Sequence, residues 1–335
     1  MSAEIIPTHT PALLAAAVER AARLLRAGQV VAVPTETVYG LAANALDPVA
    51  VARIYEVKGR PAHNPVIVHV ASPAMARECA AHWPNLAERL ASAFWPGPLT
   101  LVVPKAPNIP GILTAGGDTV GVRWPQHPFM QAVIRACGFP LAAPSANLAN
   151  RLSPTNALHV QRQLGDRIPL IVDGGDSNVG IESTVVDVTG AAPRLLRPGM
   201  IHEPAILAAA GAEPPSTSET PSGPLRSPGQ LAKHYAPRAR LVVLAWRDEA
   251  ELLRELARLG ARPEKTCVIA HSRIPLGGLL PNVHVIPDDA EAFARGLYGE
   301  LHGCDEQGSE WIVVEQLPDA PEWSGIADRL RRAAA

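Results

Sequence analysis

Short runs rich in β-branched residues recur between helix-patterned stretches, and that alternation restricts the chain to an α/β architecture. VVAV (30–33), VIVHV (66–70), LTLVV (99–103), TVGVRW (119–124), PLAA (140–143), PLIV (169–172) and STVVDV (183–188) read as strands, with a short one at 194–196. Thr10-Pro11 opens a helix that Gly28 closes, and Asp47-Pro48 opens a second. Helical spacing returns near 73–81, 85–94, 127–137 and 155–164. Interleaved elements of this kind define an α/β protein. Where strands follow one another without a helix, the sheet is expected to be mixed rather than strictly parallel.

From about 212 to 238 the rhythm stops at EPPSTSETPSGPLRSPGQLAKHYAP, a linker by its Pro, Ser and Gly content. It resumes in RLVVLAW, a helix near 248–259, KTCVIA, VHVIP, a helix near 289–302, EWIVVE and a terminal helix. The expected organisation is a main domain over 1–210, a linker over 211–238 and a smaller Rossmann-like α/β domain over 239–335. The 335 residues, 47% of them hydrophobic, suffice for two cores. No apolar run approaches the ~20 residues of a membrane span, and Met1–Thr10 lacks the pattern of a signal peptide. The expectation is a soluble, cytoplasmic protein with no membrane contact.

A net charge of −2 lacks the basic excess of a general nucleic-acid binder. Cys79, Cys137, Cys267 and Cys304 lie far apart without a C-x-x-C pair, and are expected as free thiols. Phosphate-binding loops of the G-x-x-x-x-G-K-[ST] or G-x-G-x-x-G type, a G-x-S-x-G elbow and a metal-spaced His/Cys cluster are all missing from the sequence.

The polar residues sit where the pattern predicts strand ends. PTETVYGLAANA (34–45) and KGRPAHNP (58–65) bring hydroxyls, an amide and two cations into a stretch that otherwise reads as core. Lys58, Arg60 and Asn64 there suit anionic oxygens, against the plainer reading of a solvated loop. Alternation puts Thr119, Gly121 and Arg123 on one face of TVGVRW, with the glycine suggesting an open pocket in which a carboxylate could meet the guanidinium. His69 shares a face with Ile67, a position more often structural than catalytic. APSANLANRLSPT (143–155) follows PLAA at a strand's carboxyl end, where α/β sheets place ligands, and offers Ser145, Asn147 and Ser153. Thr155 reads as a helix cap. GIESTVVDV (180–188) and LLRPGMI (195–201) add Ser183 and Arg197.

Together, PTETVYGLAANA, KGRPAHNP with VIVHV, FWPGPLTLVV, VGVRWPQHP, PLAAPSANLANRLSPT, DGG with GIESTVVD, LLRPGM and SPGQLAKHYAP resemble the YrdC-domain threonylcarbamoyl-adenylate synthases, eight blocks in the same order. SPGQLAKHYAP and the second domain resemble the family's longer branch. The resemblance implies a twisted mixed sheet with helices around an open cavity. It implies a nucleotidyltransferase that converts L-threonine, bicarbonate and ATP to L-threonylcarbamoyl-AMP and pyrophosphate, with Mg2+ accompanying ATP and no tightly bound organic cofactor. The product would pass to a tRNA threonylcarbamoyl transferase for modification of the adenosine beside the anticodon, with a transient tRNA contact. Thr37, His69, Arg123, Ala143 and Ser183 would hold threonine. Arg60, Asn64, Thr119, Ser145, Ser153, Arg197 and Tyr235 would hold the nucleotide, the linker bringing Tyr235 over the site. Lys58 and Arg60 would act on the phosphate or bicarbonate oxygens. The competing expectations are an RNA-binding module of the same fold without ATP chemistry, and a carbamoyltransferase.

Overall fold

The computed structural model describes residues 2–61, 64–213 and 235–335. The chain divides into two compact units, one formed by residues 1–149 and 153–230, the other by 150–152 and 231–335. The three residues 150–152 thus join the second unit: Arg151 makes a parallel bridge with Ala236, whose N–H donates to the Asn150 carbonyl at 3.1 Å.

The first unit's strands are β1 (Glu4–Pro7), β2 (Val31–Val33), β3 (Gly40–Asn44), β4 (Val68–His69), β5 (Leu99–Pro104), β6 (Thr119–Arg123), β7 (Leu141–Ala142), β8 (Leu170–Asp173), β9 (Thr184–Asp187) and β10 (Arg194–Arg197). Its helices are α1 (Pro11–Arg26), α2 (Pro48–Lys58), α3 (Pro73–Glu78), α4 (Asn85–Phe94), α5 (Pro128–Cys137), α6 (Ala157–Leu164) and α7 (Glu203–Ala210). The strands form one mixed sheet in the order β1-β8-β2-β3-β7-β4-β6-β5-β9-β10. Its central pairings alternate in sense: β4 runs parallel to β6 and antiparallel to β7, while β5 runs antiparallel to β6 and parallel to β9.

Two apolar clusters cover the sheet. One packs Ala17, Ala21 and Leu25 of α1 and Phe129, Val133 and Ile134 of α5 with Val31, Val33, Leu170 and Val172. The larger one gathers Val68, Leu101, Val122 and Val186 with residues of α2 and α4. Capping sets α1 as its sequence suggested: Thr10 Oγ1 accepts from the Leu13 N–H at 3.2 Å, with Pro11 in the first turn. In α2 Asp47 caps the start, and Gly59, at φ 60°, closes the end in the left-handed region that glycine tolerates best. Lys58, on the buried face with Ala50, Val51, Ile54 and Tyr55, is thereby fixed as the last residue of the helix.

Four elements and one helix cap differ from expectation. β3 lies inside the polar block 34–45 and is buried almost throughout, so its run of small residues shows no alternation. β1 is a four-residue edge strand, and α7 follows the last strand of the sheet. β4 is only two residues long where VIVHV suggested five. The cap of α6 is Asn156, which accepts from the His159 N–H at 2.9 Å, rather than Thr155.

The second unit carries four parallel strands, β11 (Arg240–Leu244), β12 (Thr266–Ala270), β13 (Asn282–Val285) and β14 (Trp311–Glu315), in the order β11-β14-β12-β13. Helices α8 (Glu249–Leu259), α9 (Ala290–Glu306) and α10 (Ser324–Ala333) complete it. This is the expected Rossmann-like arrangement. Cys79 and Cys137 are free and buried, but Cys267 and Cys304 form a disulfide, contrary to the expectation of four free thiols. The two lie 37 positions apart, and the chain between them returns α9 over β12, a proximity that linear spacing does not show. Among the described residues no helix is long and apolar enough to cross a membrane.

Candidate active site

Strand register assembles the site. His69 lies opposite Arg123 across the β4–β6 pair. In the β5–β6 pair Leu101 faces Val122, which puts Thr100 beside Arg123, and in the β5–β9 pair Thr100 faces Val185, two residues from Ser183. Ala143 follows β7 and donates its N–H to the Ile67 carbonyl at 3.1 Å. Five adjacent strands, β7-β4-β6-β5-β9, therefore bring Ala143, His69, Arg123, Thr100 and Ser183 to one face within two residues of a common row. Gly121 serves packing rather than an open pocket: a Cβ there would come within 3.2 Å of the Thr100 methyl and 3.5 Å of Ile67.

Above this row sits the loop between β2 and β3. Thr35 Oγ1 accepts from the Thr37 and Val38 N–H groups at 3.2 and 3.3 Å, lies 2.9 Å from Thr37 Oγ1 and donates to the Val38 carbonyl at 2.6 Å. The segment before β9 clamps the same loop, with Val179 N–H donating to the Glu36 carbonyl at 2.7 Å and Gly180 N–H to the Thr37 carbonyl at 3.1 Å. So held, Thr37 Oγ1 accepts from Arg123 Nη1 at 2.9 Å, and Glu36 Oε1 lies 2.7 Å from Arg123 Nη2. Arg123 Nε donates to the Gly97 carbonyl at 3.3 Å, and Glu36 Oε1 also accepts from the Gln126 N–H at 3.0 Å.

This buried pair is incompletely satisfied. Glu36 Oε2 has no hydrogen-bond partner, and Arg123 Nη2, although in ion-pair range of Oε1, makes no aligned hydrogen bond. Burial would raise the Glu36 pKa, but the Arg123 charge and the Gln126 N–H together hold it below the usual carboxylate range, so it is ionised. His69 Nδ1 is also unpartnered. Burial, then the Arg123 charge, outweighs Glu36 and pushes the His69 pKa down to about 3, so the ring is neutral.

The remaining predicted residues fall into smaller groups. Arg197 grips Ser183, donating from Nε and Nη2 to its carbonyl at 3.0 and 2.9 Å and from Nη2 to its hydroxyl at 3.1 Å; that hydroxyl lies 2.8 Å from Thr100 Oγ1. Lys58 Nζ donates to the Ser145 and Asn147 carbonyls, each at 2.5 Å, and to Asn147 Oδ1 at 3.1 Å, so its three N–H groups tie down the loop after β7. Burial, followed by the nearby Arg60 charge, lowers its pKa well below the usual lysine value, while those three acceptors favour the ammonium. Arg60 donates to the carbonyls of Asn64 and Pro65 at 3.3 and 2.9 Å, leaving Asn64 Oδ1 without a partner. Ser153 Oγ donates to Glu182 Oε1 at 2.5 Å, and Thr119, half-buried, opens β6.

Tyr235 is buried in the second unit, its ring 6.2 Å from that of Tyr298 and 5.3 Å from the Arg329 guanidinium carbon. Residues 214–234, most of the expected linker, lie outside the described residues. Sequence reasoning missed Glu36, Thr100 and Glu182. The signal for Glu36 was present, an acid between two threonines in a core-like stretch, but its partner is 87 positions away.

The fold is thus a mixed α/β sheet that buries a guanidinium and a carboxylate, each with one atom left without a hydrogen bond, followed in the chain by a parallel-sheet unit. A family model described as telomere recombination matches residues 23–199, and one described as the C-terminal domain of threonylcarbamoyl-AMP synthase matches 198–335. The chain is 40% identical over 319 residues to a threonylcarbamoyl-AMP synthase of Pyrococcus abyssi, spanning 94% of this chain and 93% of that one. Identity to the Bacillus subtilis protein of the same name is also 40%, over 328 residues, 95% of this chain and 92% of the other. The crystal structure of P. abyssi Sua5 complexed with L-threonine superimposes with a TM-score of 0.88 at 38% identity, covering 99% of this chain and 97% of that one. The chain belongs to the threonylcarbamoyl-AMP synthase family.

Proposed function

We propose that this chain condenses L-threonine, bicarbonate and ATP into L-threonylcarbamoyl-AMP and pyrophosphate. The observation that carries the reading is the buried Arg123–Glu36 pair with one open atom on each partner, Nη2 and Oε2. A free amino acid presents a carboxylate and an amino group, which complement those two atoms. Arg123 takes the carboxylate with Thr37 and Ser183 alongside, and neutral His69 offers Nδ1 as an acceptor without competing for the anion. Ala143 has its N–H committed to Ile67, so its carbonyl is the group left to meet the ligand.

The amine attacks the bicarbonate carbon and water leaves, giving a carbamate. A carbamate oxygen then attacks the α-phosphorus of ATP and pyrophosphate departs. No protein nucleophile is needed, and alignment with charge neutralisation supplies the rate. Arg60, Asn64, Thr119, Ser145, Ser153 and Arg197 are assigned to the nucleotide. Lys58 is assigned to the phosphate or bicarbonate oxygens, which it reaches by giving up one of its three carbonyl contacts. Tyr235 is assigned to the nucleotide on the sequence resemblance.

The metal-capable groups of three or more side chains among the described residues include neither Glu36 nor Glu182, so the donor set does not form a cage. It fits Mg2+ carried by the triphosphate and water. The ion would neutralise charge on the departing pyrophosphate. The product, a mixed anhydride, suits a cytoplasmic transferase that moves the threonylcarbamoyl group to the tRNA adenosine beside the anticodon.

The test is pyrophosphate release by the full chain supplied with ATP, Mg2+, threonine and bicarbonate. Release that requires both threonine and bicarbonate, with L-threonylcarbamoyl-AMP identified by mass spectrometry, is expected. Release independent of threonine would reject the proposal, as would tRNA binding without ATP consumption.

A further inference from the structure

We infer that the second unit contains a site for a thiolate-binding divalent cation of the zinc class, built from Cys267, Cys304 and His284. Ligand atoms of the three residues lie within 4.8 Å of one another. They come from three elements that the fold holds in fixed register. In the β12–β13 pair Cys267 faces Asn282 and Ile269 faces His284, so Cys267 and His284 project from the same side of the sheet two residues apart. Cys304 approaches that side from α9, and its bond to Cys267 fixes the helix against the strand.

A disulfide alone has no use for the other two residues found there. His284 Nδ1 is hydrogen-bonded to Glu300 Oε2, and Glu300 lies one helical turn before Cys304 on α9. A carboxylate on one ring nitrogen orients the imidazole and raises the basicity of the other, which is how metal-binding histidines are commonly supported. Both sulfurs are fully buried, while the His284 and Glu300 side chains are 20% and 37% exposed, giving an ion an entry from that side. Two thiolates and an imidazole select zinc over magnesium or calcium, and three protein ligands leave a fourth position for water.

The disulfide and the metal site are alternative states of one cysteine pair. A thiol reductant gives two electrons and two protons to the disulfide and leaves two thiols. The cation then binds both sulfurs and His284 Nε2, displacing the two thiol protons to solvent. This site is independent of the proposed reaction, since none of its residues belongs to the site in the first unit.

The experiment titrates Co2+ and Zn2+ into the full-length chain, reduced with a phosphine and, separately, oxidised. The expected result is one Co2+ per reduced chain with sulfur-to-cobalt charge-transfer absorption, displaced by one equivalent of Zn2+ and absent from the oxidised chain. Cys304→Ser should abolish the band, and Glu300→Gln should weaken binding by about 10- to 100-fold. Circular dichroism confirms that each variant folds, and the comparison of reduced with oxidised wild-type chain needs no variant. Equal binding by both forms, no sulfur band in the reduced form, or a band that survives in folded Cys304→Ser would each overturn the inference. Threonine-dependent pyrophosphate release is a separate readout, so its failure would count against the proposed reaction alone.

Discussion

Both units bury a carboxylate at the end of a strand or turn, and the two are satisfied in opposite ways. In the second unit Glu315, the last residue of β14, accepts from the N–H groups of His271, Ser272 and Arg273 and from the Ser272 hydroxyl at 2.6 Å. It lines a cavity of about 530 Å3 at the carboxyl ends of the parallel strands, with Trp246, Arg247, His271 and Asp288. Burial would raise its pKa, but the Ser272 hydroxyl and the three N–H groups hold it below the usual carboxylate range. In the first unit Glu36 keeps one oxygen bare, and the facing Arg123 keeps Nη2 without an aligned hydrogen bond. A buried polar atom without a partner is costly unless a ligand completes it. Glu315 thus braces its turn, whereas Glu36 and Arg123 keep the unpaired atoms that the proposed reading gives to threonine.

Substitution should separate brace from site. The largest effect is expected at Arg123→Ala, which strands the Glu36 charge in the interior. A loss of about 3–5 kcal/mol in stability, typical of a broken buried ion pair, should accompany undetectable pyrophosphate release. Arg123→Lys keeps the charge without the fork, and should restore folding while leaving the threonine KM raised by a hundredfold or more, about 2.7 kcal/mol. Next comes Glu315→Ala, which leaves the buried His271 N–H and the part-buried N–H groups of Ser272 and Arg273 unpaired and should cost roughly 1–3 kcal/mol on denaturation, with the threonine KM unchanged in the folded fraction. A threonine KM that moved with Glu315 as far as with Arg123 would dissolve the distinction. Glu36→Gln preserves shape but not charge, and should raise the threonine KM about tenfold, roughly 1.4 kcal/mol, with a smaller loss of stability.

The parts of this fold that were legible in sequence are those where local chemistry decides. α1 and α2 carry their caps and stops in Thr10-Pro11, Asp47-Pro48 and Gly59, and the second unit's strands are short apolar runs between helical patterns. β3 was hidden because GLAAN is buried almost throughout and built from small residues, so neither alternation nor β-branching marks it. Arg123 was legible from strand alternation beside Thr119 and Gly121. Its partner Glu36 was not, because their pairing depends on the antiparallel and parallel neighbours that set β6 beside β4, and on the Val179 and Gly180 contacts that hold the loop. The same holds for Lys58: the lysine stood out, but its three carbonyl acceptors lie 87 and 89 positions away. The Cys267–Cys304 bond was likewise a product of packing α9 over β12.

The finest test of the contrast concerns His69, whose ring is buried beside the two charges with Nδ1 unpartnered. In the folded chain its pKa is about 3, against an ordinary value of 6.5. Between those limits the unfolded chain holds a proton that the folded chain does not, so acid favours unfolding and stability rises with pH across the window. One such group contributes a slope of up to about 1.4 kcal/mol per pH unit. Asparagine at this position offers similar polarity and does not titrate. His69→Asn should therefore flatten the acid limb of stability below pH 6.5, read from urea midpoints, while changing stability at neutral pH only slightly. A variant whose midpoints track the wild type through that window would show that the ring takes up its proton in the folded chain near the ordinary value of 6.5. Below that pH the imidazole would then be a third charge in the site, and the threonine carboxylate would have two cations to choose between rather than Arg123 alone.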